Sequence, residues 1–440
     1  MVHGARLAIL LSLGLAACVK EEVADPLPPT DRLYFPNGVA IAKPLGGVPY
    51  VLVASSNFDL RYSASEGGTL VSVDPATAPD HAAFTAAGSQ RIGSYAGPVA
   101  VIDGTRCPGA VEEAFVASRY DDVLFRLQLS QGGGLTCGAG CQTHFSSPLR
   151  DPFPVAIACR PSGSRAFVGF LSTPTSTQAT GAGAWIAELD LSASPSPVRE
   201  LEIGDGPVRG IAYDAAADRL WLTSRSSGSR ALLHTVLLSD PAWAGASPRD
   251  AVETYDLYPA VRGAELRSVA VGSTPLSGPQ RLYVTARLYD AEYQDSTGNR
   301  PSTDVGGVLI VLDVVDGPAG LPLVTVHKVV DLGMGAGDVA VVPNGTNRDV
   351  VVVTVADDNL VVVYDDEWEV VASVFGRDPT TGAPALARTP VALAVDPTGA
   401  AGTPLVYVAA FGDHDVATFS LDPTRPWAPV KLNRIGGLAP

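Results

Sequence analysis

A short motif, Pro-Val-Ala or a close variant of it, recurs seven times along the 440 residues and constrains the architecture more than any other feature. Its alanines are Ala40, Ala100, Ala156, Ala212, Ala270, Ala340 and Ala392, spaced 60, 56, 56, 58, 70 and 52 residues apart. A unit of that length, rich in alternating apolar stretches and poor in helix signals, buries its apolar faces only by stacking on its neighbours. Seven such units closed into a ring describe an all-β fold, a seven-bladed β-propeller of four-stranded antiparallel blades. Length alone argues for about three domains, but blades pack into one ring, so residues 32–440 read as a single domain. Abundant Gly (45) and Pro (36) suit a fold of short strands and many tight turns.

The strands fall in order within each unit. Strand A, nearest the channel, carries the marker alanine, whose small side chain suits a crowded channel wall. Strand B ends in an aromatic or aliphatic run, as in Phe115-Val116-Ala117, Phe167-Val168-Gly169 and Trp221-Leu222-Thr223. Strand C alternates and often closes on Asp, as in Thr69 to Asp74 and Asn359 to Asp365, and strand D follows, as in Arg199 to Gly204, Val326 to Gly333 and Val430 to Gly436. Blade seven owns all four strands, so ring closure rests either on side-chain packing or on an outer strand added by Arg32 to Phe35.

The N terminus reads as an export signal. Arg6 supplies a positive start, and Leu7 to Ala17 form an apolar run too short to cross a bilayer as a mature helix. The run ends in Leu15-Ala16-Ala17-Cys18, which resembles the bacterial lipobox cut before a cysteine that becomes lipid-modified. The domain plan is therefore a lipoprotein signal peptide (1–17), a lipid anchor and flexible tether (18–31) and the ring (32–440). It places the protein in the bacterial cell envelope, held by a palmitate-bearing lipid at the outer membrane and facing the periplasm or the surface. Cleavage removes Arg6, so the formal charge moves from −16 to −17. Such an acidic chain is a poor partner for nucleic acid or for anionic lipid headgroups. Four cysteines remain, Cys107, Cys137, Cys141 and Cys159, and an even count in an exported chain favours two disulfides. Three pairings are open. Cys137–Cys141 with Cys107–Cys159 is preferred, because the first pair closes a small Gly-rich loop.

Tyr283-Val284-Thr285-Ala286, and Val406 to Gly412 followed by Val416 to Asp422, resemble the YVTN-type repeat of bacterial seven-bladed propellers. That class is similar in fold to NHL-repeat and lactonase-type propellers. Ala286 and Ala410 stand where the family's signature has Asn, and no Trp-Asp dipeptide closes a strand as in WD40 rings. The resemblance implies the ring, and through its lactonase-like members it implies hydrolysis of sugar lactones at the channel mouth as one activity.

The usual catalytic signatures are missing: no His-Glu-x-x-His helix, no Gly-x-Ser-x-Gly elbow, no EF-hand loop and no P-loop. Gly333, Gly335 and Gly337 precede a strand rather than a helix and read as a turn. His81, His144, His234, His327 and His414 are scattered, with no two at ligand spacing, so neither a metal nor a cofactor is expected, and a quinoprotein-like redox role finds no supporting residue.

Repeat register sorts the loops by face. Strand A starts, and strand B ends, at one mouth of the channel, so D–A and B–C loops share it, while A–B and C–D loops share the other. All four cysteines fall on the second face. On the first face, Arg119, Arg225 and Arg287 lie just past the apolar run of strand B in blades two, four and five, and Arg209 and Arg267 stand just before the markers of blades four and five. Guanidinium groups offer a rigid fork of donors suited to carboxylates and other anions. The alternative is pairing with acids of the same loops: Asp59, Asp121, Asp122, Asp290, Asp357, Asp358, Asp413 or Asp415. His414, flanked by Asp413 and Asp415, is the candidate for acid–base or ligand contact on this face. Two long B–C loops also reach it, the Tyr-bearing Leu288 to Asp304 and the Ser/Thr-rich Leu171 to Gly183. The expected function is binding or scaffolding by a monomeric ring, with an envelope protein, anionic small molecule or glycan as partner; the lactonase-like hydrolase is the enzyme alternative.

Overall fold

The computed structural model describes residues 26–436 except 64, 76–87, 105–106, 108–109, 147, 176–181, 193–197, 226–229, 246–247, 276–277, 290–303, 318–319, 344–348, 375–387, 400–401, 423 and 426–428. The expected signal peptide, Cys18, the first part of the tether and most of the Tyr-bearing loop lie outside these residues. Within them the chain forms seven four-stranded antiparallel sheets, each pairing its strands in sequence order, with an extra strand, Gln142–His144, beside the third strand of blade two. The molecule is a seven-bladed β-propeller. Its inner strands are Pro36–Ala42, Ala96–Ile102, Arg150–Ala158, Val208–Asp214, Ala264–Val271, Ala336–Val342 and Pro390–Asp396.

Burial follows radial position. Second strands such as Glu113–Ser118, Arg219–Ser224 and Val350–Val355 are buried at every residue, because neighbouring strands and blades cover both faces. They therefore read as continuous apolar runs. The outer strand of blade five alternates instead, with one face open to solvent, and it begins at Pro322, four residues before the expected start at Val326.

The marker alanines occupy a different place from the one expected. Ala40, Ala100, Ala270 and Ala340 pack into the cores between their own blade and the next. The channel is walled instead by the residue before each marker: Val39, Val99, Val155, Ile211, Val269 and Val339. Blade seven also departs from the motif. In blades one to six the marker opposes the aromatic or aliphatic residue of strand B, as in Ala212↔Trp221 and Ala270↔Tyr283. The partner of Tyr407 is Ala394, not Ala392, so Pro390-Val391-Ala392 sits two residues early and Leu393 completes the channel wall.

Ring closure uses packing rather than an added strand. Arg32 to Phe35 is not a strand. Leu33 is buried in a core shared by blades one and seven, the Phe35 N–H donates to His414 Nδ1 at 2.9 Å, and Lys43 pairs with Asp396 at 2.5 Å. Residues 26–31, the end of the expected tether, run along blade one: the Pro26 carbonyl accepts from Ser63 N–H at 3.1 Å, and the Thr30 carbonyl from Ser89 Oγ at 2.9 Å. The disulfides are Cys107–Cys159, which ties blade two to blade three, and Cys137–Cys141, which closes the small loop within blade two.

Candidate functional site

Every inner strand carries a register shift just ahead of its channel-wall residue. A β-bulge there re-aims the side chains before it. Two residues ahead of the Val/Ile/Leu ring stand Asn37, Gly97, Phe153, Arg209, Arg267, Gly337 and Val391, and six of these seven line one cavity of about 420 Å³ at the channel mouth, Gly97 being the exception. Threonines of strand B hold neighbouring bulges in place. Thr223 Oγ1 donates to the Arg267 carbonyl at 2.8 Å, and Thr285 Oγ1 to the Gly337 carbonyl at 2.5 Å.

Blades four and five make this mouth cationic. Arg209, Arg225 and Arg267 converge on Glu265, at 3.6, 3.4 and 3.1 Å, and the Glu265 side chain is only 8% exposed. Arg267 Nη2 also donates to the Tyr289 hydroxyl at 3.0 Å. Arg287 lines the same cavity, its Nε reaching the Ala336 carbonyl at 3.4 Å. Arg119 lies off the cluster, 3.6 Å from Asp151, and outside the cavity lining. Burial, followed by the repulsion of Arg267, pulls the Arg209 guanidinium down to about 10; Glu265 opposes this, and Arg225 and Arg119 add to it. Three guanidinium groups thus share one buried carboxylate. Asp290 lies outside the described residues; of the other acids expected as partners, none is paired with these three, and Glu265 is.

Asp338 supplies the cavity's own acid. Its carboxylate accepts from Ser268 Oγ of blade five at 2.9 Å, from its neighbour Val339 N–H at 3.0 Å and from Leu393 N–H of blade seven at 2.9 Å. Burial raises its pKa despite these bonds. It reads as a clamp across three blades.

His414 and Asp413, expected among the ligand contacts, are on this mouth but do not line the cavity. His414 accepts from Phe35 and packs edge-on against its ring, 4.5 Å between centroids. Burial, then the charge of Arg61, lowers its pKa, so the ring is neutral and its role is to close the propeller. Asp413 is occupied by Arg388 and Arg434, each at 2.6 Å.

Sequence reasoning missed an aromatic ridge on blades seven, one and two. Phe411, Phe35, Phe58, Tyr95 and Tyr120 follow one another with centroid spacings of 5.0 to 6.4 Å. Phe58 is 58% and Tyr120 49% exposed. Phe35, Leu60 and Tyr95 hold φ values of 44°, 51° and 53°, where bulky residues are outliers. The loops are stitched together by Ser56 N–H to the Phe35 carbonyl at 3.1 Å and Tyr95 N–H to the Ser56 carbonyl at 2.6 Å. The mouth therefore has an aromatic half and a cationic half.

Fold and site together define a seven-bladed propeller with a cationic channel mouth. No protein-family model matches the sequence, and no curated protein matches it. Solved structures share the fold. The Chaetomium thermophilum Sqt1 structure has a TM-score of 0.53 at 12% identity, covering 94% of this chain and 89% of that one. A chain of the Mitotic Checkpoint Complex crystal structure has a TM-score of 0.51 at 10% identity, covering 89% of this chain and 88% of that one. The Pseudomonas aeruginosa periplasmic gluconolactonase PpgL has a TM-score of 0.49 at 15% identity, covering 88% of this chain and 96% of that one. At these identities the likeness is one of fold.

Proposed function

We propose that this chain is a lipid-anchored envelope protein of the YVTN-type class that binds an anionic group at the arginine-bearing mouth of its channel. The supporting observation is the charge imbalance at the rim: among the described residues, Arg209, Arg225 and Arg267 converge on one carboxylate, that of Glu265, in a protein whose formal charge is −16. An arriving anion relieves the mutual repulsion of these guanidinium groups and replaces water around them with fixed donors. The group belongs to a small molecule, a glycan or an envelope protein, and the chain itself is anchored through Cys18.

The test uses the mature protein with Cys18→Ser, titrated with acetate, gluconate and inorganic phosphate at low and high NaCl by calorimetry and thermal melting. Saturable binding that weakens with salt and is lost in Arg209→Gln/Arg267→Gln is expected. Equal binding by that variant, or none by either form, overturns the reading. Turnover of a gluconolactone that depends on the same arginines replaces it with the hydrolase alternative. Incorporation of labelled palmitate, abolished by Cys18→Ala, is the corresponding check of the anchor.

A further inference from the structure

Resting on that reading of the mouth, we infer that the anion carries an apolar body: the cavity is built for an aryl or alkyl carboxylate rather than a sugar acid. Its arginines occupy one side. The opposite wall is Val39, Pro98, Val99, Phe153, Val391 and Leu393, with Asn37 the one polar side chain among them. A hydroxyl-rich ligand entering there gives up water without replacement, at about 1–3 kcal/mol per unpaired group. An aromatic ring or alkyl chain gains roughly 25 cal/mol per Å² covered.

Several polar groups in and around the cavity are committed to the fold. Asn37 Nδ2 donates to the Ala96 carbonyl at 2.9 Å, Asp338 spans three blades, and threonine hydroxyls cap the carbonyls of Arg267 and Gly337. A volume of about 420 Å³ is within the range of small-molecule sites. Gly97 leaves room for the Phe153 ring, since a Cβ built there would lie 3.1 Å from it. Two residues upstream of Gly97, Tyr95 belongs to the ridge and packs against the exposed Phe58, 5.9 Å between ring centroids. Charge on one side and apolar cover on the other select an amphipathic monoanion.

Calorimetric titration of the mature Cys18→Ser protein with 2-naphthoate, octanoate, gluconate and glucuronate, all singly charged, decides the matter on the unmutated mouth. Naphthoate or octanoate is expected to bind at least about tenfold more tightly than either sugar acid. Phe153→Ala, checked for folding by its melting curve, weakens naphthoate severalfold more than it weakens gluconate, whereas Arg209→Gln weakens all four. Equal affinities across the panel overturn the inference while the anion site stands. Tighter binding of gluconate or glucuronate overturns it in favour of a saccharide. If no carboxylate binds, the inference falls, and the anion site falls with it if inorganic phosphate also fails to bind.

Discussion

Replacing Glu265 with Gln removes the negative charge on which three guanidinium groups converge, while keeping the side chain's size. The pairs measure 3.1, 3.4 and 3.6 Å. At an effective dielectric near 20, each such pair has a gross attraction of about 4–5 kcal/mol, most of it offset by the desolvation of both partners. Arg225 is more than half exposed, so its share is largely screened. The two largely covered partners, Arg209 and Arg267, dominate, and removing one member of a buried charge set costs about 3–5 kcal/mol. We expect Glu265→Gln to lower the unfolding free energy by about 3 kcal/mol in urea at low salt. The same change deepens the charge deficit at the mouth, so acetate and chloride should restore stability, by about 2.7 kcal/mol at 100 times their dissociation constant. Stability and anion affinity therefore move in opposite directions. A loss below about 1 kcal/mol, the value of an exposed pair, together with melting unaffected by added anion, refutes the electrostatic account of the mouth.

Other expectations concern the scaffold. His234 is fully buried, with Nδ1 2.9 Å from Thr254 Oγ1 and Nε2 3.2 Å from the Asp205 carbonyl, and burial pushes its pKa down to about 4. The unfolded chain takes up that proton from about pH 6.5 downward and the folded chain does not until about 4, so stability falls as pH drops through this window, by about 3 kcal/mol in all. Melting curves between pH 7.5 and 4 should show that limb, and it should flatten in His234→Gln; an unchanged limb contradicts the assignment. The two disulfides span 52 and 4 residues, so loop-closure entropy makes them worth about 4 and 2 kcal/mol. Cys107→Ser/Cys159→Ser should therefore destabilise the ring more than Cys137→Ser/Cys141→Ser, and the reverse order in urea unfolding would contradict this ranking.

Much of the mouth was legible because a repeat assigns each residue a radial and axial position. Placing Arg209, Arg225, Arg267 and Arg287 on one face needed only the order of strands. Their partner was harder to see. Glu265 stands two residues before Arg267, on the same side of a regular strand, yet the register shift between Leu266 and Val269 falls between it and the channel. The weighed acids were loop residues, whereas Glu265 lies within a strand. In blade seven the motif itself misled: Ala392 and Ala394 are both alanines, and only pairing with Tyr407 distinguishes them. The ridge gave no signal, since Phe35, Phe58, Tyr95, Tyr120 and Phe411 come from five separate loops.

Alternation and repeat length record which face of each strand is covered, and covering is a local property that every residue of a blade reports. For that reason the sequence alone determined the all-β ring, the number of blades and the face carrying the arginines. Contacts across the ring leave no such trace. Phe35 and His414 are 379 residues apart, and Arg209 meets Glu265 from a different blade. Many residues of the same loops satisfy the same local pattern, and only closure of the ring, which brings first and last blades and all seven bulges to one axis, decided which of them meet.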